Sequence, residues 1–188
     1  MNLRVPGLVT IVALAVAATA AVPAGAAAQE HPEAKVAILD FQRILRESAA
    51  SVDIRAQIER QRQIYQEEIT KQEQELRTLD QELGRQRAIL STEAFAQKRR
   101  EFEERVAEVQ QGAQTRKREL DKAYDYGLKQ VQGALTEIIS ELAGQRGFNI
   151  VLPRQQVVFS DATLNISDEV LLRLNERLPK VAVPLAQD

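Results

Sequence analysis

Tyr65, Ile69, Leu76, Leu79, Leu83 and Leu90 fall on alternating steps of four and three residues once Gln72 and Gln86 are admitted as polar members. Steps of that kind place one residue per turn on a narrow helical seam, the heptad pattern of a coiled coil. A second seam follows at Phe102, Val106, Val109, Ala113, Leu120 and Ala123, with Arg116 as its polar member. From Leu45 to Leu90 there is no proline and only one glycine, Gly84. Two seams in one chain predict an antiparallel helical hairpin folded on itself, with one continuous helix as the alternative. The turn is expected near residues 90–93, where Ser91 and Thr92 can cap a new helix and Glu93 sits at its positive end. An arm of about 45 residues would be roughly 65 to 70 Å long.

The rest of the chain is too small and too poor in large rings for a thick globular core. Of 188 residues only 4% are aromatic, and there is no Trp and no Cys. Lys35 to Asp40 reads as a short strand, Phe148 to Pro153 as a second and Gln156 to Ser160 as a third. The helical region between them should end near Gly144 to Gly147, since glycine adopts the left-handed terminating conformation freely. Ser167 then precedes an acidic start and an apolar run, a capped short helix. After Pro179 the tail to Asp188 holds a second proline and is expected to be extended or mobile.

Residues 1–28 behave differently. Arg4, the apolar stretch Leu8 to Val22 and the small residues Ala26, Ala27 and Ala28 follow the order of a cleaved secretory signal, cut after Ala28 or alternatively Ala26. A retained membrane anchor would need about 20 apolar residues and no cleavage motif. Without residues 1–28 the chain has 24 Lys and Arg against 27 Asp and Glu, a net charge of −3. That balance disfavours nucleic acid as a partner. The organisation expected is a signal peptide at 1–28, a first β segment of a base at 29–43, a hairpin arm at 44–147, the remaining β base with a short helix at 148–178, and a tail at 179–188.

Catalytic chemistry finds little to work with, so no catalytic residue, cofactor or metal is expected. His31 is the one imidazole, in a loose N-terminal stretch with no nucleophile fixed beside it. Glu67 and Glu68, like Glu103 and Glu104, are neighbours on different helical faces, which is a solvated surface rather than a metal site. Gly112, Gly127 and Gly133 each cost about 1 kcal/mol relative to Ala in a helix, which suggests either a bending arm or close helix packing.

Charge is polarised along the arm. Between Arg85 and Arg100 there are five bases and one acid, Glu93, whereas Arg62 to Leu83 carries three bases and six acids. Arg85, Arg87, Lys98, Arg99 and Arg100 around Ile89, Leu90 and Phe95 read either as a solvated turn or as a cationic, partly apolar contact for a client or an anionic lipid surface. At the other end, three short strands with open edges are marginal alone. Association of several copies would cover them. Val36, Ile38, Leu39, Ile150, Val151, Val157, Val158 and Phe159 are the candidates for that shared base.

KVAILDFQRIL near the start of the expected mature chain, LSTEAFAQKRREFEE in the middle, then FNIVLP, VVFSD and NISDEVLLRLN occur in an order that resembles the Skp (OmpH-like) periplasmic chaperones, over about Lys35 to Leu178. The resemblance implies a mainly α fold with a small β base, a homotrimer whose helical arms enclose a cavity, and ATP-independent holding of unfolded outer-membrane proteins. Two departures stand out: this chain is acidic where familiar members are strongly basic, and Asn165-Ile166-Ser167 stands where Asp-Ile-Thr is usual. The competing function is a non-catalytic coiled-coil spacer or adaptor of the cell envelope, which should have better-filled seams than these.

Overall fold

The computed structural model of the chain describes residues 32–185. The expected leader at 1–28, its cleavage point and His31 lie outside the described residues. The chain divides into two units, Met1–Glu33 and Ala34–Asp188. Pro32 and Glu33 are the described residues of the first, and the elements below belong to the second.

Strand β1 (Val36–Leu39) leads into helix α1 (Phe41–Glu47) and the long helices α2 (Ala49–Gln86) and α3 (Thr92–Arg146). Strand β2 (Ile150–Pro153), two 3-10 turns at Arg154–Gln156 and Ala162–Leu164, and helix α4 (Ser167–Arg177) follow. The fold is therefore mainly helical with a small sheet. β1 and β2 pair in parallel, Val36 opposite Ile150 and Leu39 opposite Pro153. Proline closes β2 without harm because β2 has no partner on its other side among the described residues. The opposite side of β1 is taken by a bridge to Asn165, with Ile166 N–H donating to Ile38 O at 3.0 Å.

That arrangement corrects the three-stranded base. Gln156 to Ser160 forms no strand; it leaves a 3-10 turn and runs on irregularly, with Val158 fully exposed and Phe159 at 90%. Its β-branched and aromatic residues favour a strand only where they pair with a neighbouring edge. Both sides of β1 are occupied, and the segment does not pair with the outer edge of β2. Val36 to Leu39 is thus not an edge. Ile38 and Leu39 belong to the core of the protomer.

Asp40 joins the pieces. Its carboxylate accepts the Arg43 N–H at 2.9 Å, capping α1, and a second bond from Gln155 Nε2 at 2.9 Å. Its own N–H donates to Ser167 Oγ at 2.9 Å. Ser167 is therefore not the cap that the sequence suggested. It is the first residue of α4, and Asn165 Oδ1 takes its N–H at 3.0 Å, doing the capping from two positions earlier. The backbone bond from Arg43, more than any other contact, holds the Asp40 carboxyl below its ordinary 3.8. A group depressed in this way stabilises the fold fully above its ordinary value, and that contribution is lost as pH falls through the folded value. Below about pH 4, wild type is expected to lose stability more steeply than Asp40→Asn, which keeps the cap acceptor but not the charge. Asp40→Ala should cost about 1 kcal/mol at neutral pH. Denaturant midpoints taken across pH check both.

α1 and α2 are not continuous. Ser48, fully buried, ends one and caps the other: its N–H donates to Ile44 O at 2.9 Å, and its side chain accepts the Ser51 N–H. Asn175 of α4 supplies Oδ1 to the Ala49 N–H at 2.8 Å. At the far end of α3, Gly147 adopts φ +73°, as expected of the terminating residue.

The core lies where β1, α1, α4 and the near ends of α2 and α3 meet. Leu39, Ile44, Ile54, Ile138, Leu142, Val170 and Leu174 are completely buried there. α3 contributes Leu120, Ala123, Gly127, Val131, Leu135, Ile138 and Leu142, spaced by three or four so that they share one stripe. The tail was expected to be extended or mobile, yet Val181 and Val183 are part of this core.

Candidate functional site

α2 and α3 pack with pairings that run in opposite sequence order. Ile54 meets Gly127, Glu68 meets Arg116, and Leu79 and Leu83 line a common notch with Phe102. The seam changes character along its length. Up to Tyr65 and back from Leu120 its members are buried. Among residues 66–119 none is: Ile69, Gln72, Leu76, Leu83, Phe102, Val106 and Val109 are half-buried and Leu79 is exposed. An open notch of about 300 Å³ between the helices, lined by Leu79, Leu83, Gln86, Lys98, Phe102 and Arg105 among others, lies in this half-wet region.

Arg116, the polar member of the second seam, is half-buried between the helices. Its guanidinium pairs with Glu68 across the helices and lies 5.0 Å from the centre of the Tyr65 ring, itself buried. Side-chain exposure of the pair is only 27% and 33%, so removing one partner strands a charge in a poorly hydrated place. Stacking on the ring adds a further attraction. This cluster stands at the border between the buried and half-wet seams.

Hydrogen exchange is expected to report that border. Amides of 66–112 should exchange faster than those of 120–142, with an island of slower exchange around Tyr65, Glu68 and Arg116. Arg116→Ala should erase the island. Gly112→Ala and Gly133→Ala should each stabilise α3 by about 1 kcal/mol, because a Cβ there would meet nothing within 4 Å. Of the two readings of the glycines, close packing applies to Gly127 alone, as a Cβ there would lie 2.9 Å from Ile54 Cδ1 and 3.0 Å from Val183 Cγ1.

The turn between α2 and α3 occupies residues 87–91, where the sequence predicted 90–93. Ile89 and Leu90 N–H both donate to Gln86 O at 3.0 Å, and Ser91 caps α3 by accepting the Ala94 N–H at 3.3 Å. Ile89 is 82% exposed, whereas Leu90 and Phe95 are half-buried. The basic residues are not equivalent. Arg99 is paired with Glu103 at 3.0 Å and Arg100 donates to Gln97 at 2.7 Å. Arg85, Arg87 and Lys98 are exposed, with no acid at ion-pair distance among the described residues. The structure therefore brings the expected residues together around one turn and leaves three cations and one large apolar side chain facing water.

At the opposite end, the open side of β2 and the segment after it expose Ile150, Leu152, Val158, Phe159 and Leu164. Leu152 and Leu164 were not among the sequence candidates. Ile38 and Leu39 are buried, and Val36, Val151 and Val157 are half-buried. Among the described residues no cluster of acidic, imidazole or thiol groups could hold a metal ion, and no helix is long and apolar enough to cross a membrane.

The profile of the outer membrane protein (OmpH-like) family matches residues 35–174. The chain belongs to the OmpH-like family. A crystal structure of an OmpH-like protein from Caulobacter crescentus CB15, described as a candidate outer membrane chaperone, superposes with a TM-score of 0.73. It is 19% identical and the match covers 79% of this chain and 88% of that one, a likeness of fold. A comparison with curated proteins found no match. The matched OmpH-like region takes in both strands, the three longer helices' shared root and the whole half-wet seam, and stops before Val181.

Proposed function

We propose that this chain is an ATP-independent holdase of the periplasm, which binds unfolded outer-membrane proteins and keeps them soluble on the way to the outer membrane. It works as a homotrimer of antiparallel coiled-coil hairpins joined through their β bases. The observation that carries this reading is the half-open seam of residues 66–119, where apolar side chains are neither sealed nor free. A sealed seam has nothing to offer a client, and a freely exposed one would aggregate. Half-buried leucines, valines and a phenylalanine each gain a fraction of the ~1.5 to 3 kcal/mol available on full burial. Many such weak contacts hold a chain without requiring nucleotide to release it.

Membership of a non-enzymatic family whose outer membrane chaperones are periplasmic supports the location and the absence of catalysis. The exposed apolar side chains Ile150, Leu152, Val158 and Phe159 support self-association through the base. The free cations at the turn support a transient contact with clients or an anionic membrane surface.

The Glu68–Arg116–Tyr65 cluster favours a second reading, a rigid envelope spacer, because it locks the two helices in one register. Uniformly slow exchange along the whole arm would support the spacer. The holdase is tested by gel filtration: a urea-unfolded outer-membrane β-barrel diluted into excess of this protein should co-elute with it, and elution of the client only as aggregate would reject the reading.

A further inference from the structure

The tail after α4 has no regular secondary structure, yet its burial alternates: Val181 and Val183 are buried, Ala182 and Pro184 exposed, and Leu185 packs partly against the core. Alternation of that kind is what a strand shows when one face is covered. Its backbone is read by a side chain. Gln57 Nε2 donates to Val181 O at 2.7 Å, and the Val183 N–H donates to Gln57 Oε1 at 3.4 Å. A carbonyl and the N–H two residues on, bonded to one amide, is the pattern that a parallel neighbour presents in a sheet. Asp53 fixes the orientation of that amide, accepting from the same Nε2 at 2.7 Å, so the oxygen is left to face Val183. The seat itself needs Gly127, since a Cβ would collide with Val183 and Ile54.

These contacts read backbone and alternating small apolar side chains, not a particular sequence. The hold is also slight: two valines and one amide are set against the entropy of fixing five residues. We propose that Ile54, Gln57 and Gly127 form a binding site for an extended peptide segment with apolar residues at alternate positions, occupied at rest by residues 181–183 and yielded to a strand of an unfolded client. Beyond Val183 the Leu185 N–H donates to Val183 O at 2.9 Å and turns the chain. Strands of outer-membrane barrels have that alternation throughout. The identity of the client rests on the proposed function; the site does not. The tail lies beyond residues 35–174 that match the family.

A tethered tail presents itself at roughly millimolar local concentration and therefore masks the site from dilute peptide. The probe is a fluorescein-labelled synthetic peptide of residues 178–185, beside a scrambled version with its apolar residues adjacent. In full-length protein, Val181→Asp with Val183→Asp should release the tail and raise probe affinity at least tenfold over wild type by anisotropy, with no such gain for the scrambled peptide. Adding Gly127→Leu, which fills the seat, should abolish binding. Adding Gln57→Glu, which keeps the shape but loses the donor to the carbonyl, should weaken it about tenfold and serves if the leucine variant does not fold. Equal probe binding by wild type and the released variant, or indifference to both seat substitutions, would overturn the site. Because the probe is not a client, that failure leaves the holdase to stand on its own assay, and loss of holding activity in wild type would leave the peptide result intact.

Discussion

Replacing Val158 and Phe159 together by Asp is expected to turn the assembled protein into monomers in sedimentation velocity, with the helical content unchanged. Both side chains project into water in the protomer, Val158 fully and Phe159 at 90%, so neither contributes to its folding. Exposed substitutions of that kind usually alter stability by less than about 0.5 kcal/mol. In the proposed assembly they would be covered by another copy, each at a gain of ~1.5 to 3 kcal/mol per side chain. Asp reverses the sign, because a carboxylate taken into an apolar contact must be paired or protonated. In the proposed trimer, three copies would multiply the effect. An oligomer of unchanged mass in the double variant would place the interface elsewhere than on this face.

The second large effect is expected at the turn. Changing Arg85, Arg87, Lys98, Arg99 and Arg100 to Gln should slow capture of an unfolded client about tenfold at low salt, since steering by charge acts on the association rate. Most of the loss should come from Arg85, Arg87 and Lys98, because Arg99 is already neutralised by Glu103. Restoring those three alone should restore most of the rate. Near 1 M salt, where the screening length is about 3 Å, variant and wild type should capture at the same rate. The contact left there is apolar, and Ile89 is its most exposed member. Stopped-flow fluorescence with a labelled client measures the rates; identical rates at low salt would make the tip an ordinary solvated turn.

The long helices could be read from the sequence because a seam repeats over many turns, and errors in single residues average out. Even the polar members Gln72 and Gln86 were placed correctly, at half-buried positions on the seam. The partner of Arg116 was not readable for a physical reason: Glu68 is 48 residues away, and nothing in local spacing reveals that the two helices bring them together. Val157, Val158 and Phe159 have strand propensity but pair with neither strand: Asn165 and β2 flank β1, and the outer edge of β2, which ends in Pro153, is left unpaired among the described residues. The break at Ser48 was signalled only by one serine followed by another three residues later, a weak cap pattern inside a strongly helical run. The seat of the tail was the least readable feature. Three residues, Val181, Ala182 and Val183, are too short to establish a period, and the flanking prolines suggested a loose end. Gly127 carried the signal, but its reason lay in the tail.

Suppression of aggregation decides the central claim. A urea-unfolded outer-membrane β-barrel is diluted into buffer without nucleotide, and light scattering is followed with and without a molar excess of this protein. Scattering should stay at the baseline while the protein is present and rise when it is omitted, and Leu79→Ser, Leu83→Ser and Phe102→Ser combined should bring much of the scattering back while leaving the root of the arm folded. Scattering that rises equally with and without the protein would contradict the account.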